Sequence, residues 1–120
     1  MILADTSVWI DHFRRGHGLF AECLEGNRIL THPFVLGELS CGNLSQRATT
    51  LEYLGNLERV ETADHGEALS FIETHALFSR GLGYIDVHLL AAARLSSVRF
   101  WTLDKRLSEV AETLSVAFIP

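Results

Sequence analysis

The chain has 120 residues, 48% of them hydrophobic, which fits one domain spanning residues 1–120 and leaves no room for a second. Its formal net charge of -5 argues against holding a polyanion by bulk electrostatics, because proteins that do so carry a basic footprint. The opening MILAD has no basic flank or long apolar core, and no apolar run reaches spanning length, so a cytoplasmic protein without a membrane span is expected.

Ile2 to Ala4 predicts a short strand ending at Asp5, and TSVWIDHFRR a helix with Arg14 and Arg15 in its last turn, where the helix dipole favours cations. Leu19 to Leu24 predicts a short helix closed by Gly26, and Arg28 to Thr31 a second strand. Pro33 sits where a helix begins, and PFVLGELSCG runs to a glycine stop. Ser45 is placed to cap the next helix, whose Ala48, Leu51, Leu54 and Leu57 recur at helical spacing. Arg59 to Thr62 predicts a third strand. Asp64 opens a helix with Ala68, Leu69, Ile72 and Ala76 on one face, ending near Gly81. Ile85 to Ser96 predicts another helix, VRFWTLD a strand ending at Asp104, KRLSEVAETL a last helix and VAFI a last short strand. Strands alternating with helices need crossover connections, so the fold class is α/β, a mainly parallel sheet with helices on both faces. Cys23 and Cys41 are too few for a disulfide framework or a four-thiolate zinc site, and both are expected as reduced core or near-core residues.

In open parallel sheets, ligands bind beyond the carboxyl ends of the strands. Asp5 and Asp104 each follow a strand and land there, and Asp86, heading a helix that precedes a strand, faces the same edge. Glu38 shares a helix face with Phe34, Val35 and Cys41, where an isolated buried charge would need compensation. Helix capping accounts for Asp5, Asp86 or Asp104 taken singly, and a solvated or salt-bridged side chain is the plain alternative for Glu38. Together the four favour a shared cation. Mg²⁺ and Mn²⁺ take oxygen ligands, relieve the repulsion between crowded carboxylates, and assist in-line displacement at phosphorus. Acid-only clusters therefore suit phosphodiester hydrolysis, which the negative net charge does not exclude.

MILADTSVWID, LGELSCG, GYIDVHLLAAA and FWTLDKRL resemble, in order and approximate spacing, the four acidic motifs of PIN-domain ribonucleases, and the short chain resembles the VapC-type toxins of bacterial toxin–antitoxin pairs. The resemblance covers nearly the full chain. It implies a three-layer α/β/α sandwich with a parallel sheet, and an endoribonuclease using Mg²⁺ or Mn²⁺. On these motifs Asp5, Glu38, Asp86 and Asp104 would be the metal-binding catalytic acids, with Thr6, Ser7 and Thr102 as supporting hydrogen-bonding groups. It also implies a homodimer, a cognate antitoxin whose segment enters the active-site groove, and an RNA substrate such as transfer RNA or a ribosomal RNA loop. Arg14, Arg15, Lys105 and Arg106, pooled across a dimer, would supply the RNA-binding charge that one chain lacks. The rival reading is a catalytically silent PIN-like module that binds RNA or protein.

On the first helix, Val8, Trp9, Ile10 and Phe13 span a sector roughly 200° wide, broader than one sheet-facing stripe needs, so part of it should meet another helix or a partner. Other chemistries find less support. His12, His17, His32, His65, His75 and His88 form no ligand pattern such as HExxH, a phosphatase nucleophile at Asp5 would want an acid where Ser7 stands, and the GLG at Gly81 to Gly83 lacks the lysine and length of a phosphate-binding loop.

Overall fold

Strands of two or three residues suffice here because every strand residue except Arg99 is buried, as parallel sheets require. In the computed structural model, which describes all residues from Met1 to Pro120, β1 (Ile2–Ala4) lies between β2 (Ile29–Leu30) and β3 (Arg99–Trp101) and runs parallel to both. Helices α1 (Thr6–Arg15) and α2 (Gly18–Glu25) connect β1 to β2. The path from β2 to β3 carries α3 (Pro33–Cys41), α4 (Arg47–Gly55), α5 (His65–Thr74) and α6 (Tyr84–Ser96), and α7 (Lys105–Thr113) follows β3.

Because the chain leaves β1 in one direction for β2 and later returns past it to β3, right-handed crossovers put the helices before and after that return on opposite faces. Contacts agree, since α1 touches α3 and α3 touches α4, while α5 packs on α6. The result is the expected α/β/α sandwich. Its direction reverses between β1 and β3, and their carboxyl ends flank the crevice where such folds bind ligands.

Several expected elements are shorter than predicted. Arg59 to Thr62 is no strand: it pairs only through the Thr31–Arg59 bridge, because the Glu61 N–H turns to the Ser96 hydroxyl (2.8 Å) instead of extending the ladder. VAFI likewise contributes one bridge, Phe100–Ala117. The helix opened by Asp64 ends at Thr74 rather than near Gly81, since Ala76 adopts a left-handed φ of 50° that no helix tolerates. Ala76 therefore lies beyond the helix and is exposed, and within α5 the buried position is Ala68 while its neighbour Leu69 faces outwards. Ser45 does not cap α4; Gln46 precedes that helix in a left-handed conformation with no side-chain cap, and the Ser45 carbonyl accepts from Thr50 Oγ1 at 2.9 Å. Cys23 is buried as expected, but Cys41 is exposed. No helix is long and apolar enough to cross a membrane.

Large aromatics tie the sheet edge to the helices. Trp9 of α1 meets Phe20 of α2 edge to face at 4.7 Å, and Phe20 meets Trp101 of β3 at 5.7 Å. Two histidines are buried as well. His32 caps α3, its Nδ1 accepting the Phe34 N–H at 2.9 Å, which leaves the proton on Nε2. Burial, with repulsion from His88, pushes His32 down to about 4. A histidine held below its ordinary 6.5 gives stability that is complete above that value and lost as pH falls towards 4. The gap corresponds to about 3 kcal/mol. Denaturant unfolding at about pH 7 and about pH 4.5 is expected to show a large part of this loss, and His32→Asn, whose amide oxygen keeps the cap, should reduce it. Equal acid sensitivity in both chains would assign the loss to other groups.

Candidate active site

β1 ends at Ala4, and Asp5 turns the chain into α1. Its Oδ1 accepts the Val8 N–H (3.3 Å) and the Ser7 hydroxyl (2.5 Å), so Asp5 caps the helix with one oxygen. Its Oδ2 accepts the Thr102 hydroxyl, which reaches across from the end of β3. Asp5 is only 7% exposed, and this burial raises its carboxyl above the ordinary 3.8 despite hydrogen bonds from Ser7, Thr102 and Val8 that pull the other way. An ionised Asp5 is thus poorly compensated by the protein alone.

Ser7 and Thr102 do more than contact Asp5. The Ser7 Oγ accepts the Leu103 N–H at 3.1 Å and Thr102 Oγ1 accepts the Asp104 N–H at 3.1 Å. Both hydroxyls therefore lace the end of β1 to the loop after β3. Asp104 caps α7 through Oδ1, which accepts the Leu107 N–H at 3.0 Å. Asp86 is the third residue of α6, not its cap: Gly83 holds that place, and Asp86 Oδ2 reaches back to accept the Gly83 N–H at 2.9 Å. Asp86 and Asp104 line one cleft together with Lys105 and Arg106.

Glu38 requires a correction. It is exposed, as are Phe34 and Cys41, because the buried stripe of α3 is set by Val35 and Leu39. The burial cost expected for Glu38 does not arise. Its Oε1 instead accepts the Thr6 hydroxyl at 2.6 Å, which ties Glu38 to the residue beside Asp5. Each of Glu38, Asp86 and Asp104 thus commits one oxygen internally and keeps the other, Oε2, Oδ1 and Oδ2 respectively, without an internal partner. Capping and ligand binding do not compete here. In this conformation no three Asp, Glu, His or Cys side chains converge on a single point. The candidate donors are all oxygens, and the buried Asp5 carboxylate lacks a counter-charge, a chemistry that suits a hard divalent cation.

The four basic residues separate. Lys105 and Arg106 stand in the Asp86–Asp104 cleft, and Arg14 lines a second groove with Glu38. Arg15 pairs with Asp11 and is occupied away from both. Arg106 lies across Gly81, whose φ of 75° and bare backbone admit it; a Cβ there would collide with the guanidinium. The broad apolar sector of α1 divides, Val8 and Trp9 entering the core while Ile10 and Phe13 stay exposed and line the second groove.

One feature escaped the sequence reading. Phe34 and Tyr84, at the starts of α3 and α6, close on His88 from two sides, and the Tyr84 hydroxyl meets His65 Nδ1 at 2.5 Å. The i, i+4 spacing of Tyr84 and His88 was its only local signal.

The family model of the PIN domain matches residues 2–113. The chain is 39% identical over 118 residues to Ribonuclease VapC32 of two Mycobacterium tuberculosis strains, covering 98% of this chain and 95% of that protein. The crystal structure of PAE2754 from Pyrobaculum aerophilum shares the fold, with a TM-score of 0.60 at 17% identity over 94% of this chain and 85% of the other.

Proposed function

This chain belongs to the PIN-domain family, and from that premise we propose that it is the endoribonuclease toxin of a toxin–antitoxin pair, with Asp5, Glu38, Asp86 and Asp104 forming its Mg²⁺- or Mn²⁺-dependent site. The observation that carries the reading is the Thr102 bridge to buried Asp5, which draws the ends of β1 and β3 together so that Asp104 shares one edge with Asp5. The ribonuclease name of the mycobacterial relative supports the same reaction class.

When bound, a divalent cation supplies Lewis-acid stabilisation of phosphoryl charge and acidifies water. The residues of the chain have separate tasks. Asp5, Asp86 and Asp104 would hold the cation, while Glu38, exposed with Oε2 free, would orient the attacking water and accept its proton. Thr6, Ser7 and Thr102 fix the carboxylates in place by donating to them. Arg106 and Lys105 would meet the phosphate backbone beside Asp86 and Asp104.

The groove bearing Ile10, Phe13 and Arg14 opens beside Glu38, so a segment of the antitoxin bound there would obstruct the site, and we assign the silencing contact to it. A homodimer and an unpaired RNA loop as substrate complete the proposal.

Incubating the purified chain with total cellular RNA tests it: discrete fragments with Mg²⁺ or Mn²⁺ that vanish with chelator are expected, and no cleavage under any metal would reject it. Arg106→Ala is expected to weaken RNA binding and flatten the dependence of log K on log salt by about 0.7, the contribution of one single-strand phosphate contact. Arg15→Ala, already paired with Asp11, should leave that slope unchanged.

A further inference from the structure

Building on the nuclease reading, we propose that Phe34 and Tyr84 form a base-stacking subsite that holds unstacked nucleobases of single-stranded RNA beside the catalytic edge. Phe34 is the second residue of α3 and Tyr84 the first of α6, and the two residues are 37% and 43% exposed. Between them sits the imidazole of His88, buried, edge to face with Phe34 at 4.9 Å and with Tyr84 at 4.5 Å. His32 backs Phe34 at 5.1 Å, and His65 holds the Tyr84 hydroxyl at 2.5 Å. Two exposed rings are therefore fixed by contacts beneath them, so a base landing on either orders little that is not already ordered.

Their position suits the substrate. Phe34 and Glu38, four residues apart, share a face of α3 with a rise of about 6 Å between them, and Tyr84 stands across His88 from Phe34 at the amino end of α6, the end that also carries Asp86. A base adjoining a phosphodiester beside Glu38 would reach Phe34, and the next base along the strand would meet Tyr84 on the other side of His88.

The charge balance favours such a subsite. The chain carries a net -5, and with Arg15 paired to Asp11 only Arg14, Lys105 and Arg106 of the four candidates remain for phosphates. Phosphate contacts alone give weak and salt-sensitive binding at that number, whereas stacking on an aromatic face is independent of charge and tolerant of sequence. A nucleobase also matches the patch better than a protein does, because the two rings are set apart by the His88 imidazole and edged by His65 rather than joined in one continuous apolar surface.

The test uses a short single-stranded oligoribonucleotide carrying 2-aminopurine, whose fluorescence falls when it stacks, titrated into the full chain bearing Asp5→Asn to prevent turnover. Binding is expected to quench the probe. Phe34→Ala and Tyr84→Ala should each remove much of the quenching and weaken Kd by on the order of 10-fold, while Phe34→Trp and Tyr84→Phe restore both. Circular dichroism of the alanine variants should be unchanged, since both rings lie on the surface. Unchanged quenching in the two alanine variants overturns the proposal. So does loss of self-association in sedimentation with RNA binding intact, which would make the patch a contact between copies. If the wild-type chain cuts no RNA while quenching still depends on Phe34, the subsite stands and the nuclease reading falls.

Discussion

Asp86→Asn is expected to reduce RNA cleavage by on the order of 10²–10³-fold while leaving the folded chain nearly as stable as wild type. The two effects separate because Asp86 has two oxygens with different duties. Oδ2 accepts the Gly83 N–H at 2.9 Å, and an asparagine oxygen can take its place. Oδ1 has no internal partner, and its share of the negative charge is what the substitution removes. Asp86→Ala would lose both and should also cost about 1 kcal/mol of stability for the unpaired N–H. Activity assays and denaturant melts on the two variants distinguish these outcomes. Full activity in Asp86→Asn would reduce Asp86 to a structural group.

Asp5→Asn should abolish activity to a similar degree but raise stability in metal-free buffer at neutral pH. Burial holds the Asp5 carboxyl above its ordinary 3.8 in the folded chain. A carboxyl shifted upwards favours folding fully below its unfolded value, and that contribution is lost as pH rises through the folded value. At neutral pH the ionised, buried carboxylate is therefore a penalty that asparagine does not carry. The gain is expected to be on the order of 1 kcal/mol, to appear as a Tm higher by a few degrees, to shrink as pH falls through the raised folded value and to be gone below 3.8. Adding Mn²⁺ should raise the wild-type Tm and leave that of Asp5→Asn unmoved. A lower Tm for Asp5→Asn in chelator would mean that the bonds from Ser7, Thr102 and Val8 outweigh burial.

What could be read along the chain was the punctuation of the fold. Asp5 and Asp104 lie between a strand and a helix, and such positions fall at one edge of any parallel α/β sheet, so their placement followed from element order alone. Glu38 shows where such reading weakens. PFVLGELSC is apolar almost throughout, so its buried stripe has no unique register, and only packing against α1 and α4 decides that Val35 and Leu39 face inwards and Glu38 does not. The end of α5 had no local marker, because Ala76 takes a left-handed conformation that sequence assigns to glycine or asparagine. The Phe34–His88–Tyr84 stack joins two helices about fifty residues apart, a contact that no periodicity within either helix contains.

The chemistry at the ends of the cleaved RNA tests the central claim most directly. Fragments produced by the purified chain with Mg²⁺ or Mn²⁺ should carry 5′-phosphate and 3′-hydroxyl ends, because water oriented by the acids attacks phosphorus, and they should disappear with chelator. Fragments ending in 2′,3′-cyclic phosphate, or cleavage that persists in chelator, would contradict hydrolysis by a carboxylate-held cation and turn attention to the RNA 2′-hydroxyl and the histidines.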